Sequence, residues 1–255
     1  MACPIHPKTR FFKEVAKILA IFLLISSSKL LSKELAIAVV GTDWCPYSCQ
    51  GGNQGLFTEI TQAAFKELGL EIKVSLLPWA RARAMALKGE AKGLLTAGKI
   101  DTEGLQRSAE ITKYRMCFFG RPGQRWKYTG KVSDLDKLNF AVISEYAYGS
   151  PIDEYVQNPK QNVSVLHGNN AHKRLEQMLL SKRIDAFVGD EAVINFKLES
   201  RLKKLGCLPF EPLYLAYSQD FPKKHILAIN QFIKSPKGKS LIQRLYKKYK
   251  IDYSN

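Results

Sequence analysis

The sequence predicts an α/β fold built as two similar lobes. Three observations carry this. Short apolar runs alternate with amphipathic helical stretches, beginning β-α-β-α-β, the order of a parallel sheet with crossover helices. A second alternating series follows in the later half of the chain. No low-complexity linker and no short-period repeat interrupts either series.

The first strand is read in KELAIAVVGTDW, where Leu35, Ile37, Val39 and Val40 are apolar and Gly41 ends the run. CPYSCQGGNQG is a loop. GLFTEITQAAFKELGL is an amphipathic helix, with Leu56, Ile60, Ala63, Ala64 and Leu68 at helical spacing and Gly69 as its cap. EIKVSLLP is a strand stopped by Pro78, WARARAMALKGE a helix ending near Gly89, and GLLTAG a strand.

YRMCFFGRPG opens the second series as a strand. SDLDKL reads as a short helix with Ser133 as N-cap. NFAVIS is a strand, SPIDEYVQN a helix start, VSVLHG a strand and NNAHKRLEQMLLSKRI a helix. DAFVGD is a buried strand, EAVINFKLESRL a helix and LYLAYS a strand. The tail is two helices broken at Ser235-Pro236.

The N-terminus differs from all of this. A basic leader (Lys8, Arg10, Lys13, Lys17) precedes an apolar run, Ile18 to Ile25, and three serines. That is the pattern of a secretory signal peptide, assigned to residues 1–28, with an uncleaved anchor as the alternative. Export predicts a periplasmic protein. The net charge of +16 falls to +13 without the leader, which carries four bases and one acid. The lysines are scattered, and the pairs Lys203-Lys204, Lys223-Lys224 and Lys247-Lys248 read as outer helix faces. No nucleic-acid motif accompanies them, so a nucleic-acid partner is not expected.

Beyond the leader stand Cys45, Cys49, Cys117 and Cys207, an even count that fits disulfides in an oxidising compartment. Cys45 and Cys49 are close enough to bridge. The four histidines are isolated, and the sequence shows no metal-ligand spacing, no phosphate loop and no nucleophile–base pair. No metal or cofactor is expected.

Ligands of open α/β sheets bind outside the carboxyl ends of the strands. Those exits are Asp43-Trp44, Trp79, Gly98 to Thr102, Ser144 to Gly149 and Asp190. A carboxylate directly after a core strand, as at Asp190, is costly if buried and unpaired. It is therefore either at the surface or opposite a cation.

From Glu34 to Tyr249 the chain resembles the type II periplasmic solute-binding proteins, specifically the polar amino-acid-binding family that serves ABC transporters. The resemblance rests on RIDAFVGDE with its preceding helix, the GLFTEITQAAFKELG helix after a D-W-x-P-Y loop, LPWARA, and the closing KSLIQRLYKKY. It implies two Rossmann-like lobes joined by a two-strand hinge. Residues 33–115 with 214–255 would form lobe 1, and 116–213 lobe 2. The hinge would lie near Tyr114 to Met116 and Pro212 to Leu213, and a Cys117–Cys207 bridge beside it is conceivable.

The resemblance also implies a ligand, an amino acid held as a zwitterion. Arg107 would grip its carboxylate and Asp190 its ammonium group, and Asp43 matches a first-lobe position near the ligand. Gly98 and Thr102 match a first-lobe binding segment, with Gly98 offering its carbonyl, and Ile100 stands where relatives carry a hydroxyl. The loop at Tyr146 and Ala147 would offer amides to the carboxylate. Trp44 and Trp79 would line the cleft with Tyr47. Arg81 and Arg83 fit either an acidic ligand or a solvated helix face. The implied function is capture of a small ligand for an ABC importer, whose membrane component would be a partner. The alternatives are an orphan or sensory binding protein, and a cyclohexadienyl dehydratase-like enzyme using Glu145, Asp190 or Glu191 as general acid.

Overall fold

The structure is a computed structural model that describes residues 36–252 apart from 53, 145, 168–169 and 199–201. The leader and Glu145 lie outside the described residues.

Two mixed sheets divide the fold. The first contains β1 (Ile37–Gly41), β2 (Ile72–Leu76), β3 (Gly93–Ala97), β4 (Gln106–Arg107), β5 (Thr112–Tyr114) and β11 (Glu211–Tyr217), in the order β2-β1-β3-β11-β4, with β5 also on β11. The second contains β6 (Met116–Gly120), β7 (Phe140–Ile143), β8 (Val163–Leu166), β9 (Ala186–Asp190) and β10 (Lys203–Cys207), in the order β10-β6-β9-β7-β8. Each has a parallel trio, β2-β1-β3 and β8-β7-β9, built by helical crossovers. The strands beside each trio run antiparallel, because they carry the chain between the lobes: β6 against β9, and β11 against β3.

Helices α1 (Leu56–Glu67), α2 (Trp79–Leu87), α6 (Lys223–Lys234) and α7 (Pro236–Lys248) cover the first sheet. Helices α3 (Ile152–Gln157), α4 (Ala171–Leu180) and α5 (Glu191–Lys197) belong with the second. Among the described residues no helix is long and apolar enough to cross a membrane.

The trio strands read as unbroken apolar runs because both faces are covered. Val39 packs toward α1 and α6, its neighbour Val40 toward α2. In the second lobe Phe118, Phe140 and Val188 fill one side, and Phe119, Ala141 and Phe187 the other. Gly69, at φ 70, follows the last turn of α1, a left-handed position that favours glycine.

Two readings are corrected. Val132–Leu135 is a 3-10 turn flanked by Lys131, so Ser133 lies inside the turn and caps nothing. Lys203 and Lys204 lie on β10, an edge strand, and not on a helix face. Charge on an edge discourages pairing with other chains, which is why lysines are at home there.

Two disulfides are formed, Cys45–Cys49 and Cys117–Cys207. The second joins directly opposed residues of β6 and β10, the two strands next to the crossings between lobes. Glu191 approaches both of its sulfurs. The sulfurs are in a bond with each other, and Glu191 is engaged by two cations, so the trio is no metal centre. The bridge closes a segment with a sequence separation of 90. Replacing Cys117 and Cys207 together by Ser should destabilise the protein by about 4–5 kcal/mol in the chain-entropy model. Urea unfolding measures this, and a loss under about 1 kcal/mol would exclude the entropic role.

Candidate functional site

The loop between β1 and α1 is held from three directions. The Cys45–Cys49 disulfide closes it, and Trp44 and Ser48 bridge it through their backbones. The carbonyls of Pro46 and Tyr47 accept the first amides of α1, from Leu56 and Phe57, at 2.9 and 2.7 Å. Those amides have no partner within the helix. Gly55 permits the approach: a Cβ there would lie 2.4 Å from the Tyr47 carbonyl oxygen. The outcome fixes Trp44, whose ring meets Tyr47 at 4.7 Å and Tyr114 at 5.3 Å.

At the exit of β3 the backbone is strained. Thr96 has φ 55, which is unfavourable for a β-branched residue, by about 1–3 kcal/mol. The ladder pairs Tyr214 with Ala97 and Ala216 with Leu94, leaving an extra residue on β3, a bulge that re-aims the chain. The next turn, Ile100–Thr102, is held by Asp101, whose Oδ2 accepts the Gly98 amide at 2.9 Å. Arg83 ties this turn to α2, its Nε donating to the Asp101 carbonyl at 3.2 Å.

In the second lobe the loop after β7 folds on Tyr148. Its hydroxyl accepts from the Ile143 amide and donates to the Ile143 carbonyl. The Tyr148 and Gly149 amides both donate to the Asp153 carboxylate, at 2.9 Å each.

These exits surround a cavity of about 430 Å³. Thr42, Asp43, Trp44, Pro78, Trp79, Thr96, Gly98 and Asp101 line it from the first lobe, with Tyr114 and Leu213. Met116, Ser144, Tyr146 and Ala147 line it from the second. Its size suits a small organic molecule. A larger hollow of about 800 Å³ lies elsewhere, bounded by Arg115, Tyr128, Ser150 and Lys204. It is away from the strand exits of the first sheet, so the smaller cavity is the candidate site.

Six of the residues expected at the site are therefore together: Asp43, Trp44, Trp79, Gly98, Tyr146 and Ala147. Thr102 is not in the wall; its hydroxyl donates to the Lys99 carbonyl at 2.8 Å and closes the turn. Arg107 is not in the wall either. It pairs with Ala216, is exposed, and its guanidinium sits 4.9 Å from the Tyr214 ring centroid. Asp101, inside the Gly98 to Thr102 exit, and Tyr114, expected at the hinge, also line the cavity without having been named as ligand residues. The turn-forming Asp after Gly98 was a usable signal for the first.

Asp190 lies behind the wall, across the ladder from Met116, and is 2% exposed. It ends β9 and caps α5, its Oδ1 accepting the Val193 amide at 2.8 Å. The Tyr47 hydroxyl of the other lobe donates to it at 3.3–3.4 Å. Neighbouring Glu191 is held by Arg115 Nε at 2.5 Å and Nη2 at 3.1 Å, and by Lys204 Nζ at 2.6 Å. Burial works to raise the Glu191 pKa, and these cations outweigh it, leaving the carboxyl below its ordinary range. The paired acid is thus Glu191, while Asp190 meets hydroxyl and amide donors.

Burial pushes the Asp190 carboxyl up to about 7, against the lowering effect of the Val193 amide and Tyr47. Tyr114, Tyr146 and Glu191 are the other titratable groups near it. An unfolded Asp titrates near 3.9. Below about pH 4 both states hold the proton. Between about pH 4 and 7 only the folded state does, so stability falls as pH rises and then levels. Asp190→Asn should remove this component, which is on the order of 4 kcal/mol. Chemical denaturation of both proteins from pH 4 to 8 measures it; parallel curves would contradict the assignment.

No protein-family model matches the chain, and no curated protein matches it. Solved structures do. An ancestral amino acid-binding protein, described as a precursor of cyclohexadienyl dehydratase, is 18% identical with TM-score 0.64, over 84% of this chain and 94% of that one. The substrate-binding protein of an amino acid ABC transporter is 18% identical with TM-score 0.60, over 84% and 98%. A histidine kinase sensor domain with similarity to periplasmic binding proteins is 14% identical with TM-score 0.65, over 86% and 97%. At such identities the likeness speaks for architecture, and the architecture of this chain is the periplasmic binding protein type II fold.

Proposed function

We propose that this is an exported solute-binding protein that captures a small polar ligand between its lobes and presents it to a membrane partner. The observation that carries the reading is the cavity of about 430 Å³ at the carboxyl ends of strands from both sheets, walled by Trp44, Trp79, Tyr114 and Tyr146 beside Asp43 and Asp101. The ligand class suggested by the structural neighbours is an amino acid, and the partner an ABC importer. Delivery to a sensor instead of an importer is the second reading, favoured by the likeness to a kinase sensor domain.

Binding is proposed without turnover. Of the acids considered for catalysis, Glu191 is engaged by Arg115 and Lys204 and Asp190 stands behind the cavity wall. The expected response to ligand is closure of the lobes about β5–β6 and β10–β11.

Mass spectrometry of material released from natively purified, then denatured protein tests the reading. One small molecule in near-stoichiometric amount is expected. Adding it back should raise the unfolding free energy by about 2.7 kcal/mol at a hundredfold excess over Kd. It should also shrink the radius of gyration in solution scattering. Trp79→Ala should weaken binding by about 0.5–2 kcal/mol if the ring faces a cationic group. Conversion of the released molecule to product would instead establish an enzyme.

A further inference from the structure

The walls of the cavity are one-sided in charge. Asp43 and Asp101 contribute carboxylates, and no Lys, Arg or His is among the described residues that line it. Asp43 Oδ1 accepts from the Gln50 amide, and Asp101 Oδ2 from the Gly98 amide. The second oxygen of each carboxylate accepts no hydrogen bond from the described residues, leaving it available to a donor.

Several amides beside the cavity are satisfied by carboxylates of the chain. In the first lobe the Gly98 amide is held by Asp101. In the second, the Tyr148 and Gly149 amides are held by Asp153. A ligand carboxylate would share the cavity with the Asp43 and Asp101 carboxylates, with no cationic side chain among the described lining residues to offset it. Among the arginines of the flanking elements, Arg81 is exposed on α2 and does not line the cavity, and two others are engaged. Arg83 donates to the carbonyls of Asp101 and Glu103, and Arg115 pairs with Glu191. Arg107 sits over Tyr214, outside the wall.

The rest of the wall suits a cation. Trp44, Trp79, Tyr114 and Tyr146 bring four aromatic rings to a small volume, and ring faces attract ammonium and guanidinium groups. Burial keeps the phenols of Tyr114 and Tyr146 protonated, so neither is a stray anion.

We propose that the cleft takes an organic ammonium or guanidinium compound that carries no carboxylate, its cationic group at Asp43 and Asp101 and its apolar part against the aromatic rings. This rests on the solute-binding reading and narrows its ligand class. The zwitterionic amino acid implied by the resemblance is replaced by an amine, guanidine or quaternary ammonium compound that lacks the carboxylate.

The test uses compounds that differ in the carboxylate. Protein stripped of ligand by unfolding and refolding is titrated calorimetrically with arginine and agmatine, lysine and cadaverine, and glycine betaine and choline. In at least one pair the amine is expected to bind ten times more tightly or better than its carboxylated partner. Asp101→Asn and Asp43→Asn should each weaken that amine about tenfold or more while changing its partner less. Circular dichroism melting confirms that the variants are folded. Equal or tighter binding of the carboxylated member in every pair that binds overturns the proposal and leaves solute binding standing. So does a released native ligand that carries a carboxylate or no positive charge. If no probe binds and no small molecule is released, both the proposal and the binding reading fail.

Discussion

The buried carboxylate of Asp190 is the constraint around which the two lobes meet. It ends the central strand of one lobe, caps the following helix, and accepts a hydroxyl from Tyr47 of the other. The two residues after it, Glu191 aside, show the consequence: Ala192 and Val193 pack into the core of the first lobe. A carboxyl group without a cationic partner tolerates this position because burial favours its neutral form. The charge that must remain ionised is one residue further on. Glu191 is held by Arg115 from the crossing segment and Lys204 from the edge strand. Two adjacent acids are thus shifted in opposite directions, set by what surrounds each.

The same logic governs the cleft. Strand ends leave amides and carbonyls without ladder partners, and these must be satisfied locally. In this chain Asp101 and Asp153 do so from within, each a short side chain folded back on its own turn. Two carboxylates and four aromatic side chains are among what then lines the cavity. The bulge and positive φ at Thr96 supply the bend that places Asp101 there, and the Cys45–Cys49 loop supplies Trp44.

Much of the fold was legible because the trio strands are buried on both faces. Runs such as Ala186 to Val188 therefore stood out without any alternation to find. Strand β10 was not legible. Its lysines serve an edge, and an edge strand with charged residues has the composition of a helix surface. In the site, positions next to strand ends were readable from topology alone, which is why Asp43, Trp44, Trp79 and Tyr146 were found. Arg107 was assigned by resemblance. Its backbone pairs with Ala216 on β11, a tertiary fact that no local pattern records. Tyr47, expected to line the cleft with Trp44 and Trp79, is instead fully buried, and its hydroxyl reaches the opposite lobe.

The Cys117–Cys207 bond lies where both interlobe passages enter the second sheet. Cross-tied there, the passages cannot slip past each other lengthwise. If the lobes close as proposed, the movement left to them is a shared flexure, like that of a laminated spring. Opposing rims would then meet in the same alignment at every cycle, giving any receptor a single shape to recognise.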